Sequence, residues 1–128
     1  MDTPLVLGNA ELDDQHRALH RTMLQLNTLA HDSAGSGAFH ECFSRYTTLV
    51  HEHFVTEERI MAELGLAPSL FLEHKQAHDK LLHELTETHL AEMFGSAYSP
   101  AALCEMVAGW LLSHLEVFDE PLAAYFKP

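Results

Sequence analysis

Apolar residues recur along this chain in steps of three and four and nowhere alternate with period two, a pattern that predicts amphipathic helices and no strands. A first helix is expected from about Glu11 to His31, with Leu12, His16, Leu19, Met23, Leu26 and Ala30 on its inner stripe. Asp32 to Gly37 reads as a polar loop. A second helix runs from about Ala38 to Leu64 on Phe39, Phe43, Tyr46, Val50, His53, Glu57, Ile60 and Leu64, with Gly65 as its C-terminal cap. A third runs from Pro68 to Met93 on Phe71, His74, His78, Leu81, Leu85 and Thr88, and ends near Gly95. Ser99 caps a fourth, from Pro100 to about Phe118, on Leu103, Val107, Trp110, His114 and Val117. A short terminal helix from Pro121 to Phe126 follows.

Long helices joined by short connections make antiparallel neighbours. The expected fold is therefore all-α, an up-down-up-down antiparallel four-helix bundle with a short C-terminal helix, in a single domain spanning residues 1–128.

The stripes are not wholly apolar. His16, His53, Glu57, His74, His78 and His114 occupy positions where the pattern calls for hydrophobic residues. An ionised glutamate in a core is costly unless something compensates it. The depths agree. His16 and His74 lie near the starts of their helices, and Glu57 and His114 near the ends of theirs. In an antiparallel bundle these side chains meet in one layer. His53 with Glu57, and His74 with His78, are spaced i,i+4 and so share a helix face.

Asp119 follows His114 by five residues, which on a regular helix swings about 140° around the axis. It joins the layer only if the helix distorts. Pro121 lacks the N–H that would bond the Val117 carbonyl, so the ladder is already broken there. A wide turn of the π type, or the helix end, is expected between His114 and Asp119. The same register turns His20, His51 and Glu58 off the stripe and assigns His31, His40, His83 and His89 to surface or loop positions.

Composition changes this picture in three ways. Seven basic against 19 acidic residues give a formal net charge of −12, which repels phosphate backbones and anionic lipid; nucleic-acid and membrane-surface partners are excluded. The N-terminus has no basic region ahead of an apolar run, and no apolar run approaches the ~20 residues of a membrane span, so a cytoplasmic protein is expected. Cys42 and Cys104 form no Cys-x-x-Cys pair and read as buried thiols. Histidine is abundant, at 11 residues, which points to metal because the spacing agrees.

Taken together, His16, His53-x3-Glu57, His74-x3-His78 and His114-x4-Asp119 resemble the hemerythrins, the bacterial single-domain members most closely. Leu12-Asp13-Asp14-Gln15-His16, His53-Phe54-Val55-Thr56-Glu57-Glu58-Arg59-Ile60-Met61 and Trp110-Leu111-Leu112-Ser113-His114 support the likeness, which covers nearly the whole chain. The resemblance implies two oxo- or hydroxo-bridged iron ions. His74, His78 and His114 would bind one, His16 and His53 the other, and Glu57 and Asp119 would bridge them. One iron then lacks a ligand, and reversible O2 binding is implied there, for storage, delivery or sensing. Trp110, Phe54, Leu12 and Ile60 are expected to line part of a dry pocket around it. Five neutral imidazoles and two carboxylates are less anionic than the Glu-rich di-iron oxidase sites, which favours binding over O–O cleavage.

Two other classes fit the same residues: a di-iron enzyme (ferroxidase, peroxidase or nitric-oxide-handling protein) and a metal-stabilised interaction module holding zinc. No acid–base or nucleophile constellation stands apart from the histidine layer, so a non-enzymatic oxygen binder is the expectation. A monomer is the simplest assembly, because the stripes are consumed internally.

Overall fold

The computed structural model describes residues 4–31, 36–94 and 98–126. Four helices dominate it: α1 (Ala10–Ala30), α2 (Ser36–Leu64), α3 (Pro68–Met93) and α4 (Pro100–His114). Each packs against its two neighbours, α1 on α2, α2 on α3, α3 on α4 and α4 back on α1, so the bundle closes as a ring.

The ends are set by local chemistry. The Asn9 side chain accepts from Leu12 N–H at 3.0 Å to cap α1, and Ser99 Oγ accepts from Ala102 N–H at 3.1 Å to cap α4. Pro68 and Pro100 occupy the first turns of α3 and α4, where a missing N–H costs nothing. Gly65 follows α2 with φ +70°, a conformation that favours glycine and turns the chain into α3. The expected polar loop lies partly outside the described residues, at 32–35; Ser36 and Gly37, expected in that loop, begin α2 instead. Gly95 also lies outside the described residues.

The fourth helix departs most from a regular pattern. After His114 the backbone widens into a π-helical turn, Leu115–Asp119, in which Glu120 N–H donates to the Leu115 carbonyl five residues back. The chain then tightens into a 3-10 segment, Glu120–Phe126, where a separate short helix was expected. An i→i+5 turn brings residue i+5 back toward the face of residue i. Asp119 is therefore buried beside His114, while Val117, expected on the inner stripe, is exposed.

Together these segments make one helical run, Pro100–Phe126, long and apolar enough by composition to cross a membrane, contrary to the expectation that no such run exists. Its inner residues Leu103, Val107, Leu111 and His114 are spent on the bundle.

The buried interior has three storeys. The main core holds Leu26, Phe39, Phe43, Val50, Leu85, Leu103 and Val107 among others. A smaller cluster of Leu7, Leu12, Ile60, Met61 and Leu122 closes the other end. Between them lies a layer of buried polar residues.

Candidate metal centre

That layer contains His16, His53, Glu57, His74, His78, His114 and Asp119, none more than 5 % exposed. The structure brings together all seven expected donors. α1 supplies His16 one turn and a half from its start; α2 supplies His53 and Glu57 near its end; α3 supplies His74 and His78; and α4 with its π turn supplies His114 and Asp119.

The carboxylates sit at the centre with their two oxygens turned to opposite sides. Glu57 Oε1 lies 2.7 Å from His74 Nε2 and 2.9 Å from His78 Nε2, whereas Oε2 lies 3.4 Å from His53 Nε2. Asp119 Oδ1 faces His74 Nε2 at 3.0 Å and His114 Nε2 at 3.1 Å, whereas Oδ2 lies 3.6 Å from both His16 Nε2 and His53 Nε2. Two overlapping donor groups result, each with its donor atoms within 4.8 Å of one another: Glu57, His74, His78, His114 and Asp119, and His16, His53, Glu57 and Asp119. Both carboxylates belong to both groups.

The outer edges of the imidazoles fix which nitrogen faces inward. His16 Nδ1–H donates to the Leu5 carbonyl at 3.0 Å, and His78 Nδ1–H to Glu58 Oε2 at 2.8 Å. His53 Nδ1–H donates to Gln15 Oε1 at 2.8 Å. That amide orientation follows from its other end. Gln15 Nε2 donates to Thr56 Oγ1 at 2.9 Å, and the Thr56 hydroxyl is already spent as a donor on the Glu52 carbonyl. With protons held on these three Nδ1 atoms, the inward Nε2 atoms of neutral imidazoles present lone pairs. Yet His16 Nε2 and His53 Nε2 are only 3.2 Å apart. Two facing lone pairs need a cation or a proton between them.

The same need shows elsewhere. Glu57 Oε2, Asp119 Oδ2 and His114 Nε2 are buried without a well-formed hydrogen bond among the described residues, their nearest polar neighbours in the layer standing at 3.4, 3.6 and 3.1 Å. Buried polar atoms are rarely left so, because the desolvation cost is then uncompensated. Without metal, protons fill part of the role. Burial pulls His53 and His74 down, but hydrogen bonds to Asp119 and Glu57 outweigh it and push both up to about 9. Burial and the neighbouring Asp119 raise Glu57, but hydrogen bonds from His53, His74 and His78 bring it down to about 2. Asp119 is likewise held well below the carboxylate range by His114, His16, His53 and His74 against the pull of burial. Imidazole and carboxylate donors, preorganised and short of partners, fit a borderline-to-hard divalent cation.

Packing holds the layer in place. Phe54 stacks on the His78 ring at 3.9 Å between centroids, and Phe118 on that of His114 at 5.3 Å. Asp13 accepts from Leu7 and Gly8 N–H at 2.7 and 3.2 Å, which ties the N-terminal arm where the Leu5 carbonyl reaches His16.

A cavity of about 210 Å³ opens between α1 and α4. It touches His16, His53, His114 and Asp119, with Leu19, Met23, Phe54, Leu111, Leu112 and Leu115 as apolar walls. Of the expected lining residues, only Phe54 is on this cavity. Leu12 and Ile60 lie beyond the histidine layer, in the smaller apolar cluster. Trp110 packs partly buried against the main core, while α4 lines the cavity with Ala108, Leu111 and Leu112, and the π turn adds Leu115.

Several residues escaped the sequence reading. Glu58, expected on a solvated face, supports His78, and Gln15 supports His53; an i−1 or i+1 neighbour of a ligand was the available signal. His20, expected to point away, lines the cavity. His40 pairs with Glu92 at 2.5 Å and His89 stacks on Phe43, so both are helix residues in contact with packed side chains. His51 and His83 are exposed.

An antiparallel four-helix bundle with a buried layer of imidazole and carboxylate donors defines a helical metal-binding domain. The family model described as the hemerythrin HHE cation binding domain matches residues 7–125, and the chain belongs to that family. It is 29% identical over 111 residues to the bacteriohemerythrin of Methylococcus capsulatus (strain ATCC 33009 / NCIMB 11132 / Bath), covering 84% of this chain and 80% of that protein. A hemerythrin-like protein of Naegleria gruberi is 25% identical over 118 residues, covering 92% and 85%. A crystal structure of wild-type hemerythrin superposes with a TM-score of 0.83 at 23% identity, covering 95% of this chain and 92% of that one, which shows the shared fold.

Proposed function

We propose that this chain binds O2 reversibly at two iron ions held in the histidine–carboxylate layer. His74, His78 and His114 would hold one ion, His16 and His53 the other, and Glu57 and Asp119 would span both. Held there in the ferrous state, two irons would supply the electrons that O2 accepts on binding and gives back on release.

The observation that carries the reading is an asymmetry. The donor group without His74, His78 and His114 is the poorer one, and the cavity touches both of its histidines, His16 and His53, but only His114 of the three in the richer group. The protein thus offers free space where it offers fewer ligands. That space is about 210 Å³, below the size of pockets for drug-sized ligands, and its walls are mainly aliphatic and aromatic. A space of that size suits small ligands better than bulky organic substrates. Apolar walls keep bulk water away from the site. His78, backed by Glu58, and His53, backed by Gln15, keep their rings fixed as ligands come and go. Membership of a family of generally oxygen-binding proteins supports the same reading. A cytoplasmic monomer is the setting we propose for it.

Metal analysis combined with optical spectra through repeated O2 and argon cycles tests the proposal. Two irons per chain and a band that appears and disappears without loss are expected. Turnover of a co-substrate such as ferrous ion, peroxide or nitric oxide would instead mark a di-iron enzyme. Zinc as the resident metal, with no response to O2, would mark a structural module.

A further inference from the structure

His20 and Tyr46 are the polar residues of the cavity that the metal centre does not use. His20 follows His16 by one helical turn on α1 and lines the same cavity. Residues so spaced have Cβ atoms about 5–6 Å apart on one helix face. A di- or triatomic ligand seated at the His16 side, extended by one hydrogen bond of about 2.9 Å, covers that separation. The His20 ring is half-buried and makes no hydrogen bond or ion pair with any described residue. A neutral imidazole carries one donor and one acceptor, so the ring of this cavity-lining residue has a donor with no partner among the described residues. The other polar side chains there are committed elsewhere. His16, His53, His114 and Asp119 belong to the donor layer, and Tyr46 is buried in the main core cluster. The remaining neighbours of His20, such as Leu19, Met23 and Leu112, are apolar.

We infer that His20 is a specificity-determining residue, whose ring N–H hydrogen-bonds the outer end of a small ligand held at the metal centre and selects ligands with an acceptor there. The ligand class is O2 or a small anion with a terminal acceptor atom. This inference rests on the di-iron reading above, with azide as the probe of ligand binding.

The test is a spectroscopic azide titration of the iron-loaded protein, comparing wild type with His20→Leu and His20→Gln. His20→Leu should bind azide about tenfold more weakly, the scale of one lost hydrogen bond to a charged acceptor. His20→Gln, which keeps a side-chain N–H, should recover most of that loss. Iron content should be unchanged in both variants. In the wild type, the His20 ring proton resonance should move when azide is added. Azide affinity within twofold of wild type in His20→Leu, with both irons present, overturns the inference and leaves the di-iron reading standing. Loss of iron in both variants overturns it too, by making His20 part of the metal-holding structure. Failure of the wild type to take up two irons overturns the di-iron reading itself.

Discussion

The two halves of the bundle interior solve the same packing problem with opposite chemistry. Around Phe43, Val50, Leu85 and Val107 the inward positions are apolar apart from Thr22 and the Tyr46 hydroxyl, and burial itself stabilises the contact at about 25 cal/mol per Å². One or two turns away the same four helices bury five imidazoles and two carboxylates, and burial there works against folding until a cation arrives. The first half is complete as a polypeptide; the second is complete only with its metal. Stability and function are therefore segregated along the bundle axis, and the two should be separable by experiment.

Metal removal is the strongest probe. A site loaded at a thousand times its dissociation constant contributes about 4 kcal/mol, so chelation should lower the unfolding free energy by roughly that amount. Hydrogen exchange should gain fast local opening around His53–Glu57, His74–His78 and the Leu115–Asp119 turn, while amides around Phe43 or Leu85 should still exchange only by global unfolding and remain the slowest. Uniform acceleration through both halves would abolish the distinction.

Leu85→Ala attacks the other half. Leu85 is fully buried, and the cavity left behind should cost about 3 kcal/mol. Denaturant unfolding should report the same loss with and without metal. A loss confined to the metal-loaded form would mean that the core is coupled to the site.

Gln15→Ala leaves all seven donors in place and removes only the partner of His53 Nδ1–H. Metal affinity should fall about tenfold or more, with a loss of about 1 kcal/mol in the stability of the metal-free protein. Competition against a chelator measures it, and wild-type affinity would show that the hydrogen bond does not orient the ring.

The smallest effect is on pH dependence. In the metal-free protein His53 and His74 sit at about 9, above the usual histidine value of 6.5. Groups raised in this way stabilise fully below about 6.5, and that contribution is lost as pH rises through about 9. Glu57, lowered to about 2, works in the opposite sense: its contribution is present above about 4.5 and lost as pH falls through 2. Thermal unfolding of the chelated protein should therefore show a plateau between those limits and decline above it. Metal-loaded protein, whose imidazoles are held neutral, should not decline above pH 6.5 in parallel; matching curves would contradict this.

Most of the layer was legible because a polar residue in a helical stripe violates the rule that makes the stripe. His53 and Glu57 were visible for that reason, as were His74 and His78. Asp119 required a second argument, from Pro121 and the five-residue interval, because its place depends on backbone geometry rather than on periodicity. Val117 was misplaced by the same turn. The supporting residues were harder to see. Gln15, Glu58 and the Leu5 carbonyl act across helices, and nothing in a one-dimensional pattern says which neighbour an outward nitrogen meets.

The order of helices, their lengths and the depth of each inward donor follow from the sequence alone, because they depend on helical repeat, caps and turns within a few residues of chain. The cavity does not. Whether α1 and α4 close over Leu19 and Leu112 or stand apart, and whether His20 faces the gap, depends on how far two helices distant in sequence approach each other. That distance is set by every side chain between them at once, and only the folded structure decides it.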